Sequence, residues 1–190
     1  MDSGTVRCAG IHRRLDLYGM NSRNEKLPDF GFGVCFSGHR PEKLPEREGR
    51  EILKSMLHLE TENAIKDGAR VFYTGMARGV DLYAAEMILD YRHRFPDIRL
   101  ICACPFPEHY SSFSAAEIYR VRCILNAANE TVTVSARYVP SVFARRNAYM
   151  VDHSERLIAV LLHSHSGTAQ TVRYAKQKGI DTRLITLPLK

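Results

Sequence analysis

The most constraining feature of this chain is an alternation that begins near Gly31, in which short apolar, β-rich runs are separated by longer segments of helical character. No internal repeat or low-complexity tract interrupts it. Such alternation predicts an α/β fold with a mainly parallel sheet, because parallel neighbours need a crossover between them and a helix supplies it. The expected strands are Phe32–Ser37, Val71–Thr74, Leu100–Ala103, Thr131–Val134, Leu157–Leu162 and Arg183–Thr186. Several are unbroken apolar runs, as in strands covered by helices on both faces, so the expected architecture is a three-layer sandwich.

Caps and spacing mark the helices. Across Pro45–Lys66, Ile52, Leu53, Met56 and Leu57 recur at helical intervals, and Asp67-Gly68 supplies the stop. A second helix is expected from Asp81, read as its N-cap, to Arg94, ahead of Pro96. A third covers Ser114–Ala128, and a last, Thr168–Lys178, aligns Ala169, Val172 and Ala175 before Gly179. Residues 1–29 are polar, anchored mainly by Leu15, Leu17 and Tyr18, and are expected to be an extension outside a single domain of residues 30–190.

With 190 residues, 45% hydrophobic and 25% charged, the chain can bury a full core without disulfides or metal, and global disorder is excluded. The longest apolar run, Leu157–Leu162, has six residues against the roughly 20 of a membrane span. No signal-like stretch precedes Phe30, so a cytoplasmic location is expected. The five cysteines, with no C-x-x-C spacing, read as reduced thiols. The net charge of +6 is dispersed, which is weak evidence for a polyanion: it suits a phosphate-bearing small molecule or single-stranded nucleic acid on one face, and a solvated surface accounts for it best.

In an open parallel sheet, ligands bind beyond the carboxyl ends of the strands, where strand order reverses. Three strand ends there carry glycine and hydroxyl residues just before a helix: Ser37-Gly38-His39-Arg40-Pro41, Thr74-Gly75-Met76-Ala77-Arg78-Gly79-Val80-Asp81 and His163-Ser164-His165-Ser166-Gly167-Thr168. A helix's first turn leaves N–H groups unpaired and carries partial positive charge; glycine lets an oxyanion approach and a hydroxyl adds a donor. Neither G-x-x-x-x-G-K-[ST] nor G-x-G-x-x-G occurs, which disfavours ATP hydrolysis and hydride transfer. In the helix-like segment Phe143–Ser154, Arg145 and Arg146 point about 100° apart, so one of them enters a given pocket. Arg146 is read either as a phosphate or carboxylate clamp or as a surface cation, with Asn147 beside it.

These loops, together with Arg146-Asn147-Ala148-Tyr149-Met150-Val151-Asp152 and Ser166-Gly167-Thr168-Ala169-Gln170-Thr171-Val172-Arg173-Tyr174-Ala175, resemble the YpsA-like family. That family belongs to the SLOG superfamily, which unites DNA-processing protein A with the Lonely Guy phosphoribohydrolases. The resemblance covers about Gly31 to Thr186 and implies a Rossmann-like domain that binds a nucleotide or nucleotide-derived ligand and forms homo-oligomers. It places ligand contacts at Ser37, Gly38, His39, Arg40, Thr74, Gly75, Met76, Ala77, Gly79, Asp81, Arg146, Asn147, Ser166, Gly167 and Thr168.

The hydrolase branch cleaves a base from a nucleoside monophosphate with an arginine and a glutamate. Arg146 matches the arginine, but Thr171 stands where the glutamate would be, and threonine cannot act as the acid. Glu86 and Asp81 are the remaining candidates: Glu86 reads as a solvated helix face or pocket wall, Asp81 as a cap or catalyst. His39 reads as a donor to phosphate or base, or as a turn residue. His163 and His165 lack further ligands at metal spacing, so neither metal nor cofactor is expected. The leading expectation is nucleotide binding in a sensor or accessory role. The alternatives are N-glycosidic hydrolysis or transfer, and single-stranded DNA binding, the last disfavoured because no aromatic stacking series stands out.

Overall fold

A computed structural model describes residues 31–187. The expected extension over residues 1–29 lies outside the described residues. In chain order the elements are β1 (Phe32–Ser37), a short 3-10 turn (Pro41–Lys43), α1 (Arg47–Lys66), β2 (Ala69–Thr74), α2 (Val80–Tyr91), β3 (Arg99–Cys104), α3 (Ala115–Ala127), β4 (Glu130–Thr133), α4 (Val142–Asp152), β5 (Arg156–Val160), α5 (Gly167–Lys178) and β6 (Asp181–Ile185). Every strand pairing is parallel, and the sheet order is β4-β3-β2-β1-β5-β6. The chain builds outward from β1 to β4, then returns to the other side of β1, so strand order reverses between β1 and β5.

Two side-chain sets follow from the alternation of strand residues across the sheet. Val34, Phe36, Phe72, Leu100 and Ile158 face α1, α2 and α3, while Cys35, Tyr73, Ile101, Leu157 and Ala159 face α4 and α5. The result is an α/β/α sandwich of Rossmann-like layout. Phe36 and Phe72, both fully buried, stack with ring centroids 6.1 Å apart beneath the strand ends that carry the loops. Truncating such a ring costs about 3–5 kcal/mol.

Helix ends follow local chemistry. Ser114 and Glu117 form a reciprocal capping box on α3, and Ser166 caps α5 by accepting from the Ala169 N–H. Gly68 and Gly179 sit at positive φ just beyond α1 and α5. The expected start and end of the second helix are both corrected. Gly79, at φ +88°, takes the cap position; Asp81 lies inside the first turn. At the other end, His93 and Arg94 bond three residues back to Asp90 and Tyr91, a tighter turn that ends α2 at Tyr91, short of Arg94.

Candidate nucleotide pocket at the sheet's carboxyl edge

The loops after β1, β2 and β5 meet α4 around one cavity of about 430 Å³. Of the expected contacts, Ser37, Gly38, His39, Arg40, Gly75, Ala77, Asp81, Arg146, Asn147, Ser166, Gly167 and Thr168 line it. Thr74, Met76 and Gly79 stand behind its wall. Thr74 donates to the Asp81 carbonyl at 2.8 Å, fastening β2 to α2. Met76 is fully buried with a left-handed backbone (φ 57°), and its carbonyl lies 3.2 Å from the His109 ring. A Cβ at Gly79 would strike the His39 carbonyl.

The floor is an ion pair withdrawn from water. Arg146 donates from Nη1 to Asp81 Oδ2 at 3.1 Å, and the two residues are only 5% and 4% exposed. The same carboxylate oxygen accepts the Ala77 N–H at 3.3 Å, so Asp81 ties the glycine loop as well. Burial pushes the Asp81 carboxyl up, opposed chiefly by Arg146; burial pulls Arg146 down, opposed chiefly by Asp81. The buried Arg146 Nε has no partner among the described residues. Gly75 has no side chain because a Cβ there would overlap the Arg146 guanidinium. Arg145, one position earlier, turns away toward the Val134 carbonyl.

His39 is mostly structural. Its Nε2 accepts the Leu162 N–H at 3.0 Å, joining the β1 loop to the chain beyond β5 and placing the neutral ring's proton on Nδ1. Burial, with His163 and Lys43 nearby, lowers its pKa. At α5, helix geometry leaves first-turn N–H groups without intrahelical acceptors. Ser166 Oγ takes that of Ala169, which leaves Gly167 and Thr168 at the cavity wall.

Glu86 is corrected: it makes a two-pronged ion pair with Arg120 of α3, both contacts 2.7 Å, and does not line the cavity. It lies on the α2 face turned toward α3, away from the strand ends. Thr171 is buried, accepting from Asn147 Nδ2 at 2.8 Å and donating to the Gly167 carbonyl. His165 hydrogen-bonds its neighbour Ser164, and His163 meets the His39 ring edge-on at 5.0 Å. Among the described residues, no three His, Cys, Asp or Glu side chains gather as metal ligands.

Sequence reasoning missed Lys43, Arg78, Pro105, His109, Ser112, Phe113 and Phe143, which also line the cavity. Four of them belong to the segment after β3, whose signal was a proline ending an apolar strand ahead of Phe106, His109, Tyr110 and Phe113. Arg78 braces that side of the cavity, pairing with Glu42 and Glu117 and lying 5.9 Å over the Phe113 ring. Its hydrogen bond pulls the Glu117 carboxyl down to about 2.

Among relatives, the SPbeta prophage-derived protein YoqJ of Bacillus subtilis is 33% identical over 146 residues, covering 70% of this chain and 85% of its own. A UPF0398 protein of Bacillus cereus is 26% identical over 153 residues, covering 77% and 83%. Two solved structures share the fold with TM-scores of 0.58. DNA processing protein A from Helicobacter pylori, described with a single-stranded DNA binding mode, is 20% identical over 85% of this chain and 67% of that one. Its Streptococcus pneumoniae counterpart is 16% identical, and this chain covers 53% of it. Residues 34–187 match the family model YpsA, described as the YspA SLOG family. By that match the chain belongs to the YpsA SLOG family.

Proposed function

We propose that this protein binds a nucleotide, or a nucleotide-derived small molecule bearing phosphate, at the carboxyl ends of β1, β2 and β5, in a sensor or accessory role. The carrying observation is the buried Arg146 guanidinium, one N–H unpartnered, held beside two glycine loops and the start of α5 in a single cavity. Four cations (Arg40, Lys43, Arg78, Arg146) line it; Arg78 is paired with Glu42 and Glu117 and Arg146 with Asp81, so Arg40, Lys43 and the partial charge of a helix N-terminus carry most of its attraction for an anion. A volume of about 430 Å³ falls within the roughly 300–1,000 Å³ of small-molecule sites.

Base cleavage is the weaker alternative. It needs a carboxylate near the anomeric carbon; Asp81 is committed to Arg146, and Glu86 is outside the cavity. Single-stranded DNA binding draws on the Helicobacter pylori neighbour and the +6 charge, and predicts affinity that falls steeply with salt.

Calorimetric titration with AMP, ADP-ribose and an oligonucleotide tests the reading. AMP or ADP-ribose is expected to bind one to one, and Gly167→Asp to weaken that binding roughly tenfold or more, the effect of ~1.4 kcal/mol. Position 167 has open space for a side chain, and an acid in the first turn favours the helix, so this variant folds while repelling an anion. Absence of binding by either small molecule overturns the reading, as does prompt release of free base from AMP that disappears in Arg146→Ala.

A further inference from the structure

Beside the cations, the cavity has a wall of different chemistry. Phe143, Phe113 and His109 line it, and Phe106 and Tyr138 stand behind. These five rings come from three places: the segment between β3 and α3, the loop between β4 and α4, and α4 itself. They meet edge-to-face, with centroids 5.7 Å apart for Phe106 and Tyr138 and 6.3 Å for Phe106 and Phe143. Ring packing leaves Phe143 38% and Tyr138 59% exposed. The ring neighbours of Phe143 among the described residues, Phe106 and Tyr138, cross it at 68° and 62°, so neither stacks parallel on its face. Exposed apolar rings gathered at the mouth of a charged cavity mark a contact site rather than leftover surface.

Helix geometry connects the two chemistries. Phe143, Arg146 and Asn147 stand at i, i+3 and i+4 on α4, so all three enter the cavity from one face, their Cβ atoms ~5–6 Å apart. Ring, guanidinium and amide thus follow one another over a single helical turn.

We propose that the exposed ring of Phe143, backed by Phe106 and Tyr138, is a nucleobase-stacking platform, so that the ligand is a mononucleotide recognised with its base attached. The proposal rests on the phosphate-binding reading above and goes beyond it by assigning a base subsite. A flat π-face accepts any base, so the platform sets the class of ligand, and the edge contacts of Asn147 and Ser112 are left to choose within it.

The test compares AMP, ribose 5-phosphate and a short single-stranded oligonucleotide on the wild-type chain, Phe143→Ala and Phe143→Tyr. Phe143→Ala is expected to weaken AMP by about 5- to 150-fold, the equivalent of the ~1–3 kcal/mol of one stacked base, with ribose 5-phosphate unchanged and Phe143→Tyr restoring AMP. The chain has no tryptophan, so Phe143→Trp adds a single indole whose fluorescence AMP quenches and ribose 5-phosphate does not. Equal binding of AMP and ribose 5-phosphate, both untouched by Phe143→Ala, overturns the platform and leaves the phosphate site standing. No binding of either overturns the parent reading, and the platform with it. An oligonucleotide that binds more tightly than AMP and is lost in Phe143→Ala overturns the mononucleotide assignment in favour of nucleic acid.

Discussion

Asp81 and Arg146 are each tolerable in the interior because of the other. Two charges taken out of water lose hydration that mutual attraction restores only in part, and removing one strands its partner. Asp81→Ala is therefore expected to lower stability by about 3–5 kcal/mol in urea unfolding, and Asp81→Ala with Arg146→Met to recover most of the loss. Unequal recovery would assign the pair a smaller share of the fold's stability. Helix geometry said that one of Arg145 and Arg146 enters a given pocket, and the family resemblance, which matches Arg146, pointed to which one. Asp81 was legible as important but mistaken as a cap. Its carboxylate accepts the Ala77 N–H four residues back, where a cap would accept from two or three residues ahead; glycine at φ +88° holds the cap position and leaves that carboxylate to the loop and the guanidinium. Glu86 could not be placed in advance, since its partner Arg120 lies 34 residues away on another helix.

At the scale of elements, strands and helices were readable because burial on both sheet faces and 3.6-residue periodicity leave direct marks. Only their ends moved. The expected final strand begins at Asp181 rather than Arg183, where pairing to β5 begins. The segment after β3 was not readable as part of the site, because its aromatic residues acquire meaning only beside Tyr138 and Phe143, which the fold brings from two other segments. The start of α5 offers an element-level prediction. Ser166→Ala removes the acceptor of the Ala169 N–H and is expected to lower stability by about 1 kcal/mol, read as a downward shift of the thermal midpoint. A midpoint equal to the wild type would show that tertiary packing alone fixes this helix end.

The described residues form one continuous sheet whose strand order reverses between β1 and β5, and His39 ties together the chain segments that leave these two strands. Its ring accepts a proton reluctantly: burial and neighbouring His163 and Lys43 hold its pKa below 6.5, and burial, aided by Arg146, does the same for His109. A histidine depressed in the folded state is neutral in both states above pH 6.5; below it, the unfolded chain gains protons that the fold refuses. Stability is therefore expected to be level from pH 8 to 7 and to fall as pH drops below 6.5, and His39→Gln to flatten part of that slope. Chemical denaturation between pH 8 and 5 measures it, and a slope identical in the variant would clear His39 of the effect.

The bare backbone at Gly75 has a consequence for how this sequence can drift. Any side chain there would occupy the volume of the Arg146 guanidinium, so what position 75 can hold depends on what stands at 146. A lineage that surrenders the arginine is released from the glycine. One that retains the arginine keeps residue 75 empty, so a change at 146 has to come before a change at 75.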